Sequence, residues 1–393
     1  ARKNESRNWV GNVSRDPFYQ SPDGWEDSAP GDVLRLEKPN IDDYDDIPPG
    51  LSLYRLLYVS LDPDNRLVPA SAFILVPSFT FSPNTSLKTI VWAHGTAGIE
   101  RQCAPSNQKD LYYDYEGPFT IALRGYAVVA PDYAGLGSNA TFHWLEGPSH
   151  AADISYAVVA TRQAFPRGLL TKEWIVMGHS EGGLSAWAIN ERELLLPTGG
   201  FIGAIAIAPA LQQLHIIRYG LAHAQATGPG VQTLNYVSFA LSTIARLDPS
   251  FHPSQYLSDL GLRRARLATT GCFYTAVALF SNITYGELIK DDSWLDSSAA
   301  LAWENRTAII GDKPLAAPML VVEGLGDHST FPATIEVVVA KHCELQRHTR
   351  LHLSRYPNMD HDEVPFAAQV EMFRWIEDRF NGVDIQPGCT NDT

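Results

Sequence analysis

The sequence predicts an α/β protein: a mostly parallel sheet covered by helices on both faces, with a long insertion before its last strands. Three observations predict it. Short apolar runs rich in β-branched and aromatic residues alternate with segments of helical period; a glycine-rich turn joins one such run directly to one such segment; and residues 209–317 form too long a stretch for a simple crossover. With 45% hydrophobic and 19% charged residues, the 393-residue chain can bury a large core, which excludes disordered and fibrous classes.

Residues 1–50 are rich in Pro, Asp and Asn and end in Asp42-Asp43-Tyr44-Asp45-Asp46 and Pro48-Pro49-Gly50, the pattern of an extended arm. Residues 53–61, 70–76, 88–93 and 126–130 then read as strands. Behind Ser149, a plausible N-cap, the residues Ala152, Ile154, Ala157, Val158, Thr161 and Phe165 recur at helical spacing. The alternation continues with a strand at 174–177, a helix at 183–194 and a strand at 202–207. After the insertion come a strand at 318–322, a helix at 332–345, a strand at 350–353 and a closing helix at 364–380. The core is therefore expected from 51–208 together with 318–393. Residues 209–317, which hold Phe251, Tyr256, Phe273, Tyr274, Tyr285, Trp294 and Trp303, are expected as a cap.

Thirty Lys and Arg against 44 Asp and Glu give a net charge of -14, which would repel a phosphate backbone and argues against nucleic acid as a partner. No apolar stretch reaches the roughly 18 to 20 residues needed to cross a bilayer. The chain opens on Ala1-Arg2-Lys3 with no apolar leader behind, so any targeting peptide is expected to have been removed. Asn-x-Ser/Thr sequons begin at Asn4, Asn12, Asn84, Asn139, Asn282, Asn305 and Asn391, a density that points to glycosylation. Cys103, Cys272, Cys343 and Cys389 match no zinc spacing, and beside the sequons they read as two disulfides of a secreted protein.

The sharpest chemical signal is Gly178-His179-Ser180-Glu181-Gly182-Gly183, placed between a predicted strand and a predicted helix. A nucleophilic serine at such a turn sits in a strained backbone conformation, and only small flanking residues leave the turn room to close. A serine hydroxyl needs an imidazole base, and the base needs a carboxylate to hold its tautomer. In a parallel sheet these groups belong on loops beyond the strand carboxyl ends. His361, between the last strand and the closing helix, is the expected base; His342, His348 and His352 fall within elements. Asp327, in Gly326-Asp327-His328, is the expected acid, with Glu323 and Asp360 as alternatives. For the oxyanion, one donor is the N–H of Glu181 and the other the N–H of Thr96, or of Ala97 behind it, in the loop Trp92-Ala93-His94-Gly95-Thr96-Ala97-Gly98.

Gly135-Leu136-Gly137-Ser138-Asn139-Ala140 mimics a dinucleotide fingerprint, but Pro131, Asp132 and Tyr133 separate it from its strand and no helix opens there. Asp360-His361-Asp362-Glu363 has no second histidine cluster to complete a metal site. Neither a cofactor nor a metal is expected.

The pieces Ala93-His94-Gly95-Thr96, Cys103-Ala104-Pro105-Ser106, 131–138, the Ser180 turn, Gly326-Asp327 and Asp360-His361 together resemble the secretory lipase family, the lipase-A-like α/β-hydrolases of yeasts and filamentous fungi. The resemblance implies the α/β-hydrolase fold, secretion, hydrolysis of carboxylic esters including lipids, and a helical cap before the acid-bearing strand. It also implies a disulfide from Cys103 to the cap at Cys272, leaving Cys343 with Cys389. Two departures favour esterase over long-chain lipase activity: His179 and Glu181 flank the nucleophile, and only a short segment follows His361 where the family carries a C-terminal flap. The expectation is a secreted serine carboxylic ester hydrolase acting on small-molecule or lipid esters. The rival expectations are a serine peptidase on the same fold and a catalytically silent binding module.

Overall fold

The strands β1 (Val33–Glu37), β2 (Leu51–Leu61), β3 (Leu67–Pro77), β4 (Leu87–Ala93), β5 (Ala127–Pro131), β6 (Leu170–His179), β7 (Phe201–Ile207), β8 (Met319–Gly324), β9 (Arg350–Tyr356) and β10 (Gly388–Asp392) join in one sheet. This is a computed structural model, and it describes residues 2–78, 86–229, 233–307 and 309–392. The order across the sheet is β1-β2-β3-β5-β4-β6-β7-β8-β9-β10. The pairs β1/β2, β2/β3 and β3/β5 are antiparallel, and every later pair is parallel.

The helices are α1 (Arg2–Glu5), α2 (Pro118–Leu123), α3 (Gly147–Ala164), α4 (Glu181–Leu195), α5 (Gln213–Thr227), α6 (Thr233–Leu247), α7 (Asp259–Ala268), α8 (Phe273–Phe280), α9 (Tyr285–Leu288), α10 (Ser298–Thr307), α11 (Pro332–Leu345), α12 (Val364–Ala367) and α13 (Gln369–Phe380). Successive side chains of a strand point to opposite faces, and β6 shows why its sequence is apolar throughout. Trp174 and Val176 enter a cluster with Ile154 and Val158 of α3, Leu184 and Trp187 of α4 and Ile335 of α11. Ile175 and Met177 enter another with Phe119 of α2 and Met372 and Ile376 of α13. Burying both faces fixes the sheet as the middle layer of three.

Several elements depart from expectation. The N-terminal stretch read as an extended arm supplies β1, whose Leu36 lies opposite Leu56 of β2. The predicted Ser149 cap does not form. Pro148, suited to a first turn because it needs no amide proton, lets α3 start earlier, and Glu146 takes the cap position. The closing helix breaks at Ala368 into α12 and α13. Strand β10, whose sequence is polar and whose residues are mostly exposed, was not foreseen; it pairs with β9 and is fastened by the Cys343–Cys389 disulfide. Cys103 is bonded to Cys272 over a sequence separation of 169.

Between β7 and β8 the chain forms α5 to α10. Asn4, Asn12, Asn139, Asn282, Asn305 and Asn391 are exposed, and Asn84 lies outside the described residues. No helix among the described residues is long and apolar enough to cross a membrane.

Candidate active site

The turn after β6 is shaped by its neighbours. Ser180 stands at φ 60° and ψ -117°, a region that L-residues occupy at a cost of about 1–3 kcal/mol, so the surroundings must hold it there. Its N–H donates to the Ile207 carbonyl at 2.9 Å, and its own carbonyl accepts from Leu184 and Ala210. A Cβ at Gly178 would lie 2.2 Å from the Gly182 carbonyl oxygen, and one at Gly182 would lie 1.9 Å from that of Ala93. The two flanking glycines are therefore required by backbone-to-backbone approach, which lets β4 and α4 press on the turn from both sides.

The carboxyl ends of β6, β8 and β9 bring three loops to one edge. Asp327, just beyond β8, accepts from the backbone N–H groups of Ser329 (2.6 Å) and Thr330 (2.9 Å) and from the Thr330 hydroxyl. Its Oδ2 lies 2.7 Å from Nδ1 of His361, beyond β9. Burial alone would raise Asp327, but the His361 charge and these hydrogen bonds hold it well below the usual carboxylate range. Burial alone would lower His361, yet Asp327, then Asp362 and Glu116, carry it above the ordinary histidine value. Ser180 and His361 face one cavity of about 230 Å³.

His179, inside the turn, ties this loop down. Its Nε2 sits 2.9 Å from the His361 carbonyl and must carry the proton, because a carbonyl only accepts. Nδ1 is then free to accept from the Tyr113 hydroxyl at 2.8 Å. Burial, reinforced by the His361 charge, lowers His179 to about 3, so it stays neutral.

Glu181 is wholly buried. Its carboxyl accepts from the Thr96 hydroxyl and from the Leu145 N–H, both at 2.8 Å, and Trp144 Nε1 donates to the same hydroxyl at 3.0 Å. Burial, offset in part by these bonds, pushes it up to about 7. The carboxyl thus locks the Thr96 loop against the start of α4, where the Glu181 N–H lies. Thr96 faces the cavity beside Ser180; Ala97 does not line it.

A serine at a strained strand-to-helix turn, a histidine after β9 and a carboxylate after the neighbouring strand β8 now stand on one sheet edge, and residues 90–373 match the Alpha/beta hydrolase family. The chain belongs to that family. This alpha/beta hydrolase is 23% identical to a secreted triacylglycerol lipase of Malassezia globosa, over 95% of this chain and 81% of that one. It is 23% identical to lipase A of Arthroderma benhamiae, over 97% and 82%. In fold it is similar to Candida antarctica lipase A in its closed state, with TM-score 0.77 and 16% identity over 96% of this chain and 89% of that one. The rice cell wall degrading esterase LipA of Xanthomonas oryzae superposes with TM-score 0.69 at 17% identity, over 91% and 99%. The resemblance to lipase-A-like proteins and the expected fold class hold.

Two cavities of this hydrolase meet at Ser180 and Thr96. The first is an apolar slot of about 30 Å³ whose walls include Trp144, Leu145, Ile216, Ile217 and Tyr236. The second, of about 230 Å³, is reached by His361 and lined by rings and two carboxyls, Glu116 and Asp362. The alternative acids lie elsewhere. Glu323 is buried against Arg355 at 3.2 Å, with burial pushing it up to about 8, and Asp360 accepts from the N–H groups of Asp362 and Glu363. His342 bridges the Gly311 carbonyl and Thr349. Within the fingerprint mimic, a Cβ at Gly135 would lie 2.2 Å from the Phe142 amide nitrogen, so that glycine serves packing.

Sequence reading missed Tyr113, Glu116, Asp362 and Tyr236 as wall residues. They come from separate loops and from α6, and no local motif links them. The sole local sign is backbone: Leu111, Tyr112 and Asp114 all have positive φ, a run that marks a constrained loop.

Proposed function

We propose that the protein is an extracellular serine carboxylic ester hydrolase working through an acyl-enzyme. That it hydrolyses carboxylic esters follows from its family and from relatives and structural neighbours named as lipases and esterases. Secretion is supported by relatives named as secreted lipases, two disulfides and exposed sequons, at which glycans would be attached. Residues 51–208 and 318–393 act as the catalytic core, residues 209–317 as a cap and residues 1–50 as a segment bracing the core. The cap assignment rests on Ile216, Ile217, Tyr236, Phe273 and Tyr274, which the insertion contributes to the cavity walls.

Ser180 Oγ attacks the ester carbonyl carbon and gives its proton to His361 Nε2. The carbonyl oxygen becomes an oxyanion held by the N–H groups of Glu181 and Thr96. The intermediate collapses, the acyl–oxygen bond breaks, and the alcohol leaves with the proton from His361. A water, deprotonated by the same imidazole, then releases the carboxylic acid and restores Ser180. Asp327 holds the His361 tautomer whose Nε2 is free to accept, and it stabilises the imidazolium that forms.

The observation that carries the proposal is the His361–Asp327 hydrogen bond of 2.7 Å on the loop facing Ser180 across one cavity. The test is labelling with a fluorophosphonate followed by peptide mapping. Modification confined to Ser180 is expected; an unlabelled, folded protein would leave a silent binding module instead.

A further inference from the structure

The 230 Å³ cavity on the His361 side carries an imbalance of charge. Glu116 and Asp362 both face it, and among the described residues no Lys or Arg lines it. Among the described residues neither carboxyl group accepts a hydrogen bond. The base that Glu116 meets is His179 Nδ1 at 3.7 Å, which burial keeps neutral and which already accepts from Tyr113. Burial, then the Asp362 charge, pushes Glu116 up to about 8 even though the His361 charge opposes the rise, so the cavity holds more acid than the one imidazole can offset.

Apart from Ser180 and Thr96, the remaining walls are rings. Tyr112 and Tyr274 have ring centroids 6.3 Å apart, Tyr274 and Phe273 5.8 Å, and Phe273 and Tyr236 6.1 Å, so four rings follow one another around the space. Aromatic rings beside two acids, which a bound cation would ionise, together attract a poorly hydrated cation. A neutral polyol could bond the same oxygens but would do nothing to favour the ionised form of two carboxyls that the cavity holds above the usual carboxylate range.

Which half of the ester enters this cavity follows from the proton inventory. His361 must protonate the departing oxygen, so the leaving alcohol belongs on the side that His361 lines. The apolar slot, which Ser180 and Thr96 line and His361 does not, is left for the acyl chain. Building on the acyl-enzyme mechanism above, we propose that the cavity formed by Glu116, Asp362, Tyr112, Tyr236, Phe273 and Tyr274 binds a cationic leaving alcohol, an amino alcohol or quaternary ammonium alcohol of the choline type.

The experiment compares butyrylcholine with its uncharged isostere, in which a tert-butyl group replaces the trimethylammonium, on the full chain and on Glu116→Gln/Asp362→Asn. The ammonium also activates the leaving group intrinsically, so the quantity read is the change in the kcat/KM ratio between the two proteins. Both esters use the same His361, and the ratio cancels any shift in its basicity. A fall of about tenfold or more is expected on removing both carboxyls. A second measurement needs no variant: tetramethylammonium should slow fluorophosphonate labelling of Ser180 in the unaltered protein, and tert-butanol at the same concentration should not. An unchanged ratio in a folded variant, or no protection by tetramethylammonium, overturns the cation pocket. A protein that neither labels at Ser180 nor hydrolyses either ester overturns the acyl-enzyme reading instead, so the two failures are distinguishable.

Discussion

Replacing Glu181 by Ala should harm stability and catalysis together, in separable amounts. The carboxyl accepts from Leu145 N–H and from the Thr96 hydroxyl, both at 2.8 Å in a fully buried setting. Removing it leaves two buried donors without acceptors, at about 1–3 kcal/mol each, so about 2–6 kcal/mol of unfolding free energy should be lost. The Thr96 loop would also lose its tie to the start of α4, and with it the placement of one oxyanion donor. One misplaced donor lowers kcat by about 10²–10³-fold with little change in KM, because the oxyanion exists only in the transition state. Glu181→Gln is the calibrating variant. Its carbonyl keeps the Leu145 bond, but its amide must face the Thr96 hydroxyl, which already accepts from Trp144 Nε1. Gln should therefore fall between wild type and Ala on both measures. The assay is kcat on a nitrophenyl ester, normalised by fluorophosphonate titration of active sites, beside urea unfolding of the same samples. If the Ala variant unfolds more easily but keeps kcat within about twofold of wild type, the carboxyl holds the fold together without positioning an oxyanion donor, and the reasoning fails.

Ser180→Ala should keep the fold and lose ester turnover by about 10⁴-fold or more, since no other group can form the acyl-enzyme; undiminished turnover would remove the mechanism. The proposed mechanism needs neutral His361, and because Asp327, Asp362 and Glu116 hold its protonated form in place, activity should be lost as pH falls through a value above the ordinary ~6.5. Asp362→Asn should move that acid limb of the kcat/KM profile downward, and a limb that stays put would separate it from His361. Opening the Cys103–Cys272 link should cost more than opening Cys343–Cys389, about 5 against about 4 kcal/mol by chain entropy for separations of 169 and 46, and urea midpoints of the two double serine variants give the order. Catalytic efficiency should rise from acetyl to medium acyl chains by up to about 0.8 kcal/mol per buried methylene, then level or fall, because the slot is only about 30 Å³ and further length must displace Ile216, Ile217 or Tyr236. A nitrophenyl ester series that keeps climbing to long chains would show that these walls open freely.

The nucleophile turn was legible because its requirement is local. Gly178 and Gly182 must lack side chains for the same reason in any sequence that makes this turn, so residue type and spacing are enough to reveal it. The order of Ser180, Asp327 and His361 could also be read, since parallel strands deliver their following loops to one edge and the alternation of apolar runs with helical periods shows which strands those are. Strand β10 could not, because its polar residues hold their place through pairing with β9 and a disulfide, and neither leaves a hydrophobic period.

What sequence by itself determined was the arrangement that strand order and backbone sterics impose: the sheet, the strained turn and the placement of Ser180, Asp327 and His361 beyond its strands. What only the tertiary structure decided was the environment of those residues. Glu181 was expected to offer only its N–H, yet its buried carboxyl fastens the Thr96 loop; His179 was a flank of the nucleophile, yet it clamps the His361 loop. Glu116, Asp362 and the rings around them come from elements far apart in the chain, and their shared cavity exists only once the insertion and the loops after β4 and β9 have packed together. Local steric demands repeat along a chain and leave a pattern; burial and electrostatic fields are sums over distant neighbours and leave none.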